Sequence, residues 1–340
     1  MKLKAIDLFC GAGGLSYGLK QAGIEVVAGI DVDESCRYAY EHNVKAEFIN
    51  ISVRDVTGKQ LNKLWGKHDK RLLAGCAPCQ PFSSQRKGAA ASSHEAWNLL
   101  DEFGRLVQET TPDYVTMENV APLKSQEIFA RFVRTLEEVG YSVDYKVMRT
   151  EQYGLPQRRR RLVLVASKSE AIFVPDPTVQ EGKEITVKAA LKGLPRLGQG
   201  EVCSCDRLHR SRALSPLNQK RMRASKPGGT WRDWPEELLA PCHKRASGKT
   251  FQSFYGRMDP DQPSPTITTE FYNYGSGRFG HPSQDRTITP REAAILQGFP
   301  RDYDFVPPDQ PVYLARVGKM IGNAVPPVIG EIVGAAMITA

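Results

Sequence analysis

The feature that most restricts the fold is the order of signals in the first 31 residues. Residues 3–9 (LKAIDLF) form an apolar run with the character of a buried strand, Gly11 to Gly14 a tight turn, residues 14–22 a short helix, and residues 25–31 (EVVAGID) a second strand. Strand, glycine turn, helix and strand in succession make a βαβ unit. Apolar stretches at 71–75 and 113–117 read as further strands, with a helical segment at 95–109 between them. Strands alternating with helices predict an α/β chain with a doubly wound, mainly parallel sheet. Residues 141–149 and 161–167 read as two more strands, able to pair antiparallel.

From about residue 172 to 285 the texture changes to Pro, Gly, Arg and Ser with weak periodicity, which predicts a separate, smaller, mostly irregular or β domain over 173–285. Regular patterning then returns. Thr289 and Glu292 flank Pro290 as a capping box opening a helix that ends near Gly298, and 326–338 reads as a helix returning to the first domain. The expected division is therefore 1–172 plus 286–340 against 173–285.

Charge follows the same division. The chain carries a formal +8, and residues 196–257 hold thirteen Lys/Arg against five Asp/Glu, while the rest balances at 33 of each. A local basic excess points to a polyanionic partner, with a merely solvated basic surface as the alternative. Seven cysteines, an odd number over a mid-sized chain, argue against a disulfide framework and for free thiols in a reducing compartment. No apolar run near the ~20 residues of a membrane span is expected, and the first residues read as strand rather than export signal.

In an open parallel sheet, ligands gather beyond the carboxyl ends of the strands, and four such ends carry chemistry. The first strand runs into Phe9-Cys10-Gly11-Ala12-Gly13-Gly14, where missing side chains let a cofactor approach backbone and helix N-terminus. The turn lacks the Lys-Ser/Thr of a P-loop, and Ser16 interrupts the dinucleotide fingerprint. The second strand ends at Asp31, where a carboxylate can accept from both hydroxyls of a ribose; a plain surface-turn acid is the alternative. The third end is Cys76-Ala77-Pro78-Cys79-Gln80-Pro81-Phe82-Ser83, whose prolines would present one thiol rigidly, as a nucleophile requires. A redox or zinc pair of Cys76 and Cys79 competes, with Cys203, Cys205, His209, Cys242 and His243 as the only further ligands on offer. The fourth end is Glu118-Asn119-Val120, a turn acid in isolation and a candidate proton donor beside a nucleophilic thiol. In Gln157-Arg158-Arg159-Arg160-Arg161, strand alternation would put Gln157, Arg159 and Arg161 on one face, two cations aimed together at an anionic or carbonyl-bearing substrate.

These segments, in this order, resemble the cytosine-5 DNA methyltransferase family. The resemblance spans 4–167 and 286–335 through six blocks: DLFCGAGG, the acid at Asp31, PCQPFS, ENV, QRRRR and GNAVPP. It implies a Rossmann-like S-adenosylmethionine-dependent domain with a target-recognition domain, S-adenosylhomocysteine as product, and no metal. By the same resemblance, Phe9, Gly11, Ala12, Gly14, Asp31, Val32, Asn50, Ile51, Pro78, Leu99, Asn323 and Ala324 surround the cofactor. Cys79 matches the nucleophile, Glu118 the group acting at ring nitrogen 3, and Arg159 and Arg161 the basic pair of the base pocket. Two positions depart from the pattern: Asn50 stands where the family often has Asp, and Cys76 where it commonly has Gly or a similar small residue.

The implied partner is double-stranded DNA, met by Gln80 and Ser83 near the nucleophile and by Arg207, Arg210, Arg212, Lys220, Arg221, Arg223, Arg232, Lys244 and Arg245 in the basic region. Trp231 and Trp234 are expected in the core. A monomer working in the cytoplasm at the nucleoid, beside a separate restriction endonuclease, completes the expectation. The rival readings are a transfer-RNA methylating branch of the family, disfavoured by the lack of its Cys-Phe-Thr tripeptide, a DNA-binding module with a decayed site, and a nicotinamide oxidoreductase.

Overall fold

Successive side chains of β1 (Leu3–Leu8) feed two different cores, because strand residues alternate between faces. The structure, a computed structural model, describes residues 2–67, 70–78, 93–245, 248 and 253–339, with backbone alone over 93–98. Its strands β1, β2 (Glu25–Asp31), β3 (Glu47–Asn50), β4 (Lys70–Gly75), β5 (Tyr114–Val120), β6 (Ser142–Arg149) and β7 (Arg160–Ser167) form one sheet in the order β3-β2-β1-β4-β5-β7-β6. The first five run parallel, and β7 enters antiparallel to both β5 and β6. The α/β class and the mainly parallel sheet agree with the sequence reading, as does the antiparallel pairing of its last two strands.

On one face Ile6, Leu8, Leu73, Val115, Met117, Leu162 and Leu164 meet α3 (Gly58–Trp65), α4 (Ser93–Thr110) and α5 (Glu127–Glu138). On the other, Ala5, Leu72, Ala74, Val163 and Val165 pack with α1 (Gly14–Gln21) and α11 (Pro327–Thr339). Each fully buried Leu or Phe in these layers contributes about 2 kcal/mol. The helix α2 (Arg37–Val44) follows β2 and brings Tyr40 into the interior. The α1–α11 contact is backbone to backbone. A Cβ at Gly18 would fall 1.9 Å from the Pro327 carbonyl oxygen, and one at Gly330 would fall 2.4 Å from that of Leu15. Only glycine fits at this crossing.

The chain divides into two compact units: 1–153, 160–178 and 324–340 in the first, 154–159 and 179–323 in the second. This differs from the expected boundaries, since 286–323 falls in the second unit. The reason lies in buried polar contacts made by that stretch. Arg286 donates to the Leu197 carbonyl, Thr289 Oγ1 meets His209 Nδ1 at 3.0 Å, and the Leu296 carbonyl accepts from Gln157.

The second unit is largely irregular, with α6 (Val187–Ala190), α7 (Pro216–Ala224), α8 (Pro241–Lys244), α9 (Pro290–Leu296) and α10 (Leu314–Asn323). Leu214, Met222, Trp231, Trp234 and Tyr274 form an aromatic core of its own, as expected for both tryptophans. The predicted capping box opens α9, and Glu292 is also held at both oxygens by fully buried Arg286, at 2.8 and 2.7 Å.

Two expectations are corrected. Cys203 and Cys205 form a disulfide across one residue, their Cα atoms 5.4 Å apart, so not every thiol is free, although Cys10, Cys36, Cys76 and Cys242 are. The stretch Leu314–Thr339 does reach the length and mean hydropathy (1.5) of a membrane span. It is interrupted between α10 and α11, and 61% of that apolar window is buried within the protein, as core helices of such composition are.

Candidate active site

The glycine turn after β1 is held open by its backbone. Phe9, Gly11 and Gly13 take φ of 60°, 50° and 91°, left-handed values that only glycine adopts freely, and a Cβ at Gly11 would meet nothing within 4 Å. The carboxylate of Asp31, at the end of β2, fastens this turn to its own. Oδ2 accepts from the Gly11 N–H at 2.9 Å and Oδ1 from the Asp33 N–H at 2.8 Å. Asn50, at the end of β3, donates through Nδ2 to the Asp31 carbonyl at 3.0 Å. Next to this polar knot Val32 is 68% exposed, an apolar surface beside a carboxylate. That combination suits a nucleoside, whose base lies against the apolar group while its ribose meets the carboxylate. Phe9, Gly11, Ala12, Gly14, Asp31, Val32, Asn50, Ile51, Pro78, Leu99 and Ala324 all fall in the first unit, and Asn323 in the second.

Beneath the turn lies a network that sequence reasoning missed. Asp7 of β1 is buried, its Oδ2 accepts from Ser16 Oγ at 2.7 Å, and Ser16 Oγ lies 2.9 Å from Tyr40 Oη. Burial, opposed by the Ser16 hydrogen bond, raises the Asp7 carboxyl from 3.8 to about 7. Its Oδ1 has no hydrogen-bond partner among the described residues. An acid inside an otherwise apolar strand was the available signal.

At the end of β5, Glu118 is buried and contacted at both oxygens. Oε1 lies 2.8 Å from Nε of Arg161, an ion pair without the alignment of a directed hydrogen bond, and Oε2 accepts from Cys76 Sγ at 2.9 Å. Asn119 ties this strand end to the loop after β4 by donating to the Ala77 carbonyl at 2.9 Å. Burial, then the Glu118 charge, pushes the Cys76 thiol well above its ordinary pKa of 9.0. The candidate nucleophile Cys79 lies outside the described residues, as do Gln80 and Ser83.

Burial alternates along 157–161 as period 2 requires, with Gln157 and Arg159 buried, Arg158 and Arg160 exposed, and Arg161 half-buried. Arg161 meets Glu118 in the first unit. Arg159 belongs to the second unit, where it donates to the carbonyls of Ile267 and Gly322 at 3.1 and 3.2 Å. Gln157 is equally occupied, donating to the Leu296 carbonyl and to Gln297 while accepting from the Ile267 N–H.

The basic candidates of the second unit separate into two groups. Arg221 does not face solvent: it is buried, donates to the Leu238 carbonyl at 2.9 Å, and stacks its guanidinium 5.1 Å from the Trp234 ring and 5.5 Å from Tyr255. Its expected contact with DNA is corrected to a role in the aromatic core. Arg207 is half-buried and donates to the carbonyls of Pro307 and Gln310. Lys220, Arg223, Arg232, Lys244 and Arg245 are exposed, with Arg223 3.8 Å from Asp285 and Lys244 3.3 Å from Glu236. Arg212 is exposed and bonded to Asn273, and Arg210 is half-buried. His209 is bonded through both ring nitrogens, and His243 stacks on Trp231 at 4.3 Å. Among the described residues no group of three or more His, Cys, Asp or Glu is placed to hold a metal ion.

Comparison with known proteins agrees with this arrangement. The model of C-5 cytosine-specific DNA methylases matches residues 3–339. The chain is 46% identical to the Type II methylase M.HgiDII of Herpetosiphon aurantiacus, covering 96% of this chain and 93% of that protein. It is 31% identical to the Type II methyltransferase M1.HphI of Haemophilus parahaemolyticus, over 99% of this chain and 87% of that one. The solved Entamoeba histolytica methyltransferase EhMeth shares the fold with a TM-score of 0.69 at 15% identity, covering 100% of this chain and 99% of its own. The glycine turn, the acid that closes it and the buried glutamate thus sit in a Rossmann-like methyltransferase fold, and the chain belongs to the C-5 cytosine-specific DNA methylases.

Proposed function

We propose that the protein methylates carbon 5 of a cytosine flipped out of a specific double-stranded DNA sequence, through a transient bond between Cys79 and carbon 6 of the ring. The observation that supports this reading is Glu118, a carboxyl buried at a strand end with Arg161 at 2.8 Å from one oxygen and Cys76 at 2.9 Å from the other. The first unit is the catalytic domain and the second the target-recognition domain.

S-adenosylmethionine, when bound, supplies a methyl group made electrophilic by its sulfonium. Gly11, Gly14 and Phe9 would border it, Asp31 would accept from its ribose, and Val32, Asn50 and Ile51 would line its base, with Ala12, Pro78, Leu99, Asn323 and Ala324 completing the surroundings. No metal is called for. Carbon 5 of cytosine is a poor nucleophile until a group adds at carbon 6. The Cys79 thiolate forms that bond while the carbon 5–carbon 6 π electrons shift into the ring, where Glu118 delivers a proton to nitrogen 3. The resulting enamine attacks from carbon 5. Loss of the carbon 5 proton then drives out the Cys79 thiolate and restores the ring. Arg161 orients Glu118, and Arg159 would bind the carbonyl or phosphate side of the nucleotide.

Flipping costs a few kcal/mol, which DNA contacts must offset. The exposed cations Lys220, Arg223, Arg232, Lys244 and Arg245, with Arg210 and Arg212, suit phosphate contact, and Gln80 and Ser83 would lie near the target base. A cytoplasmic monomer acting on the nucleoid beside a cognate restriction endonuclease is the setting that fits. Incubation with unmethylated duplex DNA and methyl-labelled cofactor should put label on cytosine carbon 5, and Cys79→Ala should abolish it. Label on RNA alone, or none with intact cofactor binding, would overturn the proposal.

A further inference from the structure

Cys76 follows the last residue of β4 and reaches across to the neighbouring strand, where its Sγ donates to Glu118 Oε2 at 2.9 Å. Arg161 takes the other oxygen at 2.8 Å. With glycine or alanine at 76 one side of the carboxyl would lose its donor. A neutral donor on one oxygen and a cation on the other together fix the plane of the group, which neither does alone. We infer that Cys76 is a positioning residue that holds the Glu118 carboxyl in place for the base. This rests on the reading of Glu118 given above.

The thiol is suited to that task because it keeps its proton. Burial and the adjoining carboxylate hold it well above the ordinary thiol range, so at neutral pH it is a permanent S–H donor. The same circumstance keeps it silent as a nucleophile three residues from Cys79. The charged groups around the pair are Arg161 from β7, which partly offsets the rise of the Cys76 thiol, and Asp7 from β1, which adds to it. Lys124, on the turn Ala121–Ser125 that packs against β7, is directed instead over the Tyr145 ring, 5.4 Å away.

The test is single-turnover methyl transfer by the full-length enzyme on duplex DNA, with DNA and cofactor affinity measured alongside, compared for wild type, Cys76→Ser, Cys76→Ala and Cys76→Gly. The rate constant falls about tenfold in the alanine and glycine variants, in line with one hydrogen bond to a charged group, while both affinities hold. In Cys76→Ser, which restores a neutral donor, it stays near wild type. Glu118→Gln is slow whatever occupies position 76. Wild-type rates in both Cys76→Ala and Cys76→Gly overturn the inference while leaving the role of Glu118 standing. A Glu118→Gln enzyme with the wild-type rate overturns the role of Glu118, and the inference with it.

Discussion

Glu118 and Arg161 are diagonal neighbours on an antiparallel pair: Glu118 stands opposite Val163, Arg161 opposite Val120, and the charged ends converge to 2.8 Å on one face. Removing one partner of a buried pair leaves the other charge without compensation. Arg161→Ala should therefore lower the unfolding free energy by about 3 kcal/mol and slow methyl transfer by about 100-fold. Adding Glu118→Gln to it should recover much of the stability and none of the activity. Urea titrations alongside single-turnover assays measure both, and a double variant as unstable as Arg161→Ala would count against the pairing.

Asp31 fastens the glycine turn to its own, accepting from the N–H groups of Gly11 and Asp33. Asp31→Ala should weaken S-adenosylhomocysteine binding by about tenfold or more, the worth of one to two hydrogen bonds to a charged group. Asp31→Asn, with one acceptor oxygen left, should fall between. Titration calorimetry reads the difference, and an unchanged Kd in the alanine variant would refute the assignment.

Arg221 and Lys220 are adjacent in the basic region but differ in burial. Arg221→Ala should destabilise the protein by about 2–3 kcal/mol, having left the Leu238 carbonyl and two aromatic rings without their partner. Lys220→Ala should leave the melting temperature in place and reduce the salt dependence of DNA binding by about one unit of slope. Thermal melts and binding isotherms at several salt concentrations distinguish them; equal effects of both variants on DNA affinity with no loss of stability would contradict the structure.

Asp7 carries a pH dependence. The unfolded chain releases its proton near 3.8 and the folded protein near 7, so between these values the folded state binds more protons and stability falls as pH rises. The full difference is about 4 kcal/mol. Asp7→Asn, which cannot ionise, should lack this decline: relative to wild type it gains stability steadily from pH 4 to pH 7 and no further above. Parallel stability curves for the two proteins across that range would show the burial cost to be absent.

How far these features were legible depended on the range over which their causes act. Glu25–Asp31 was read correctly to the residue because a buried parallel strand is a continuous apolar run bounded by a glycine turn and an acid. The four-residue edge strand Glu47–Asn50 has too few positions to show any period and passed unseen. Arg221 looked like its neighbours because charge is local, while the rings that bury it lie at Trp234 and Tyr255. Cys76 stood out as a departure and as a possible redox or zinc partner of Cys79, but not as a partner of Glu118, which is 42 residues further along the chain and adjacent only through strand pairing.

The glycine crossing between Gly18 and Gly330 has a consequence for how the protein is made. Synthesis proceeds at about 5–20 residues per second, so the helix bearing Gly18 waits on the order of tens of seconds for its counterpart. Throughout that interval Leu15 and Leu19 have no cover from Ile329 and Val333, and the whole second unit emerges in between. The nascent chain thus carries a greasy, unmatched flank on the earlier helix until the later one arrives.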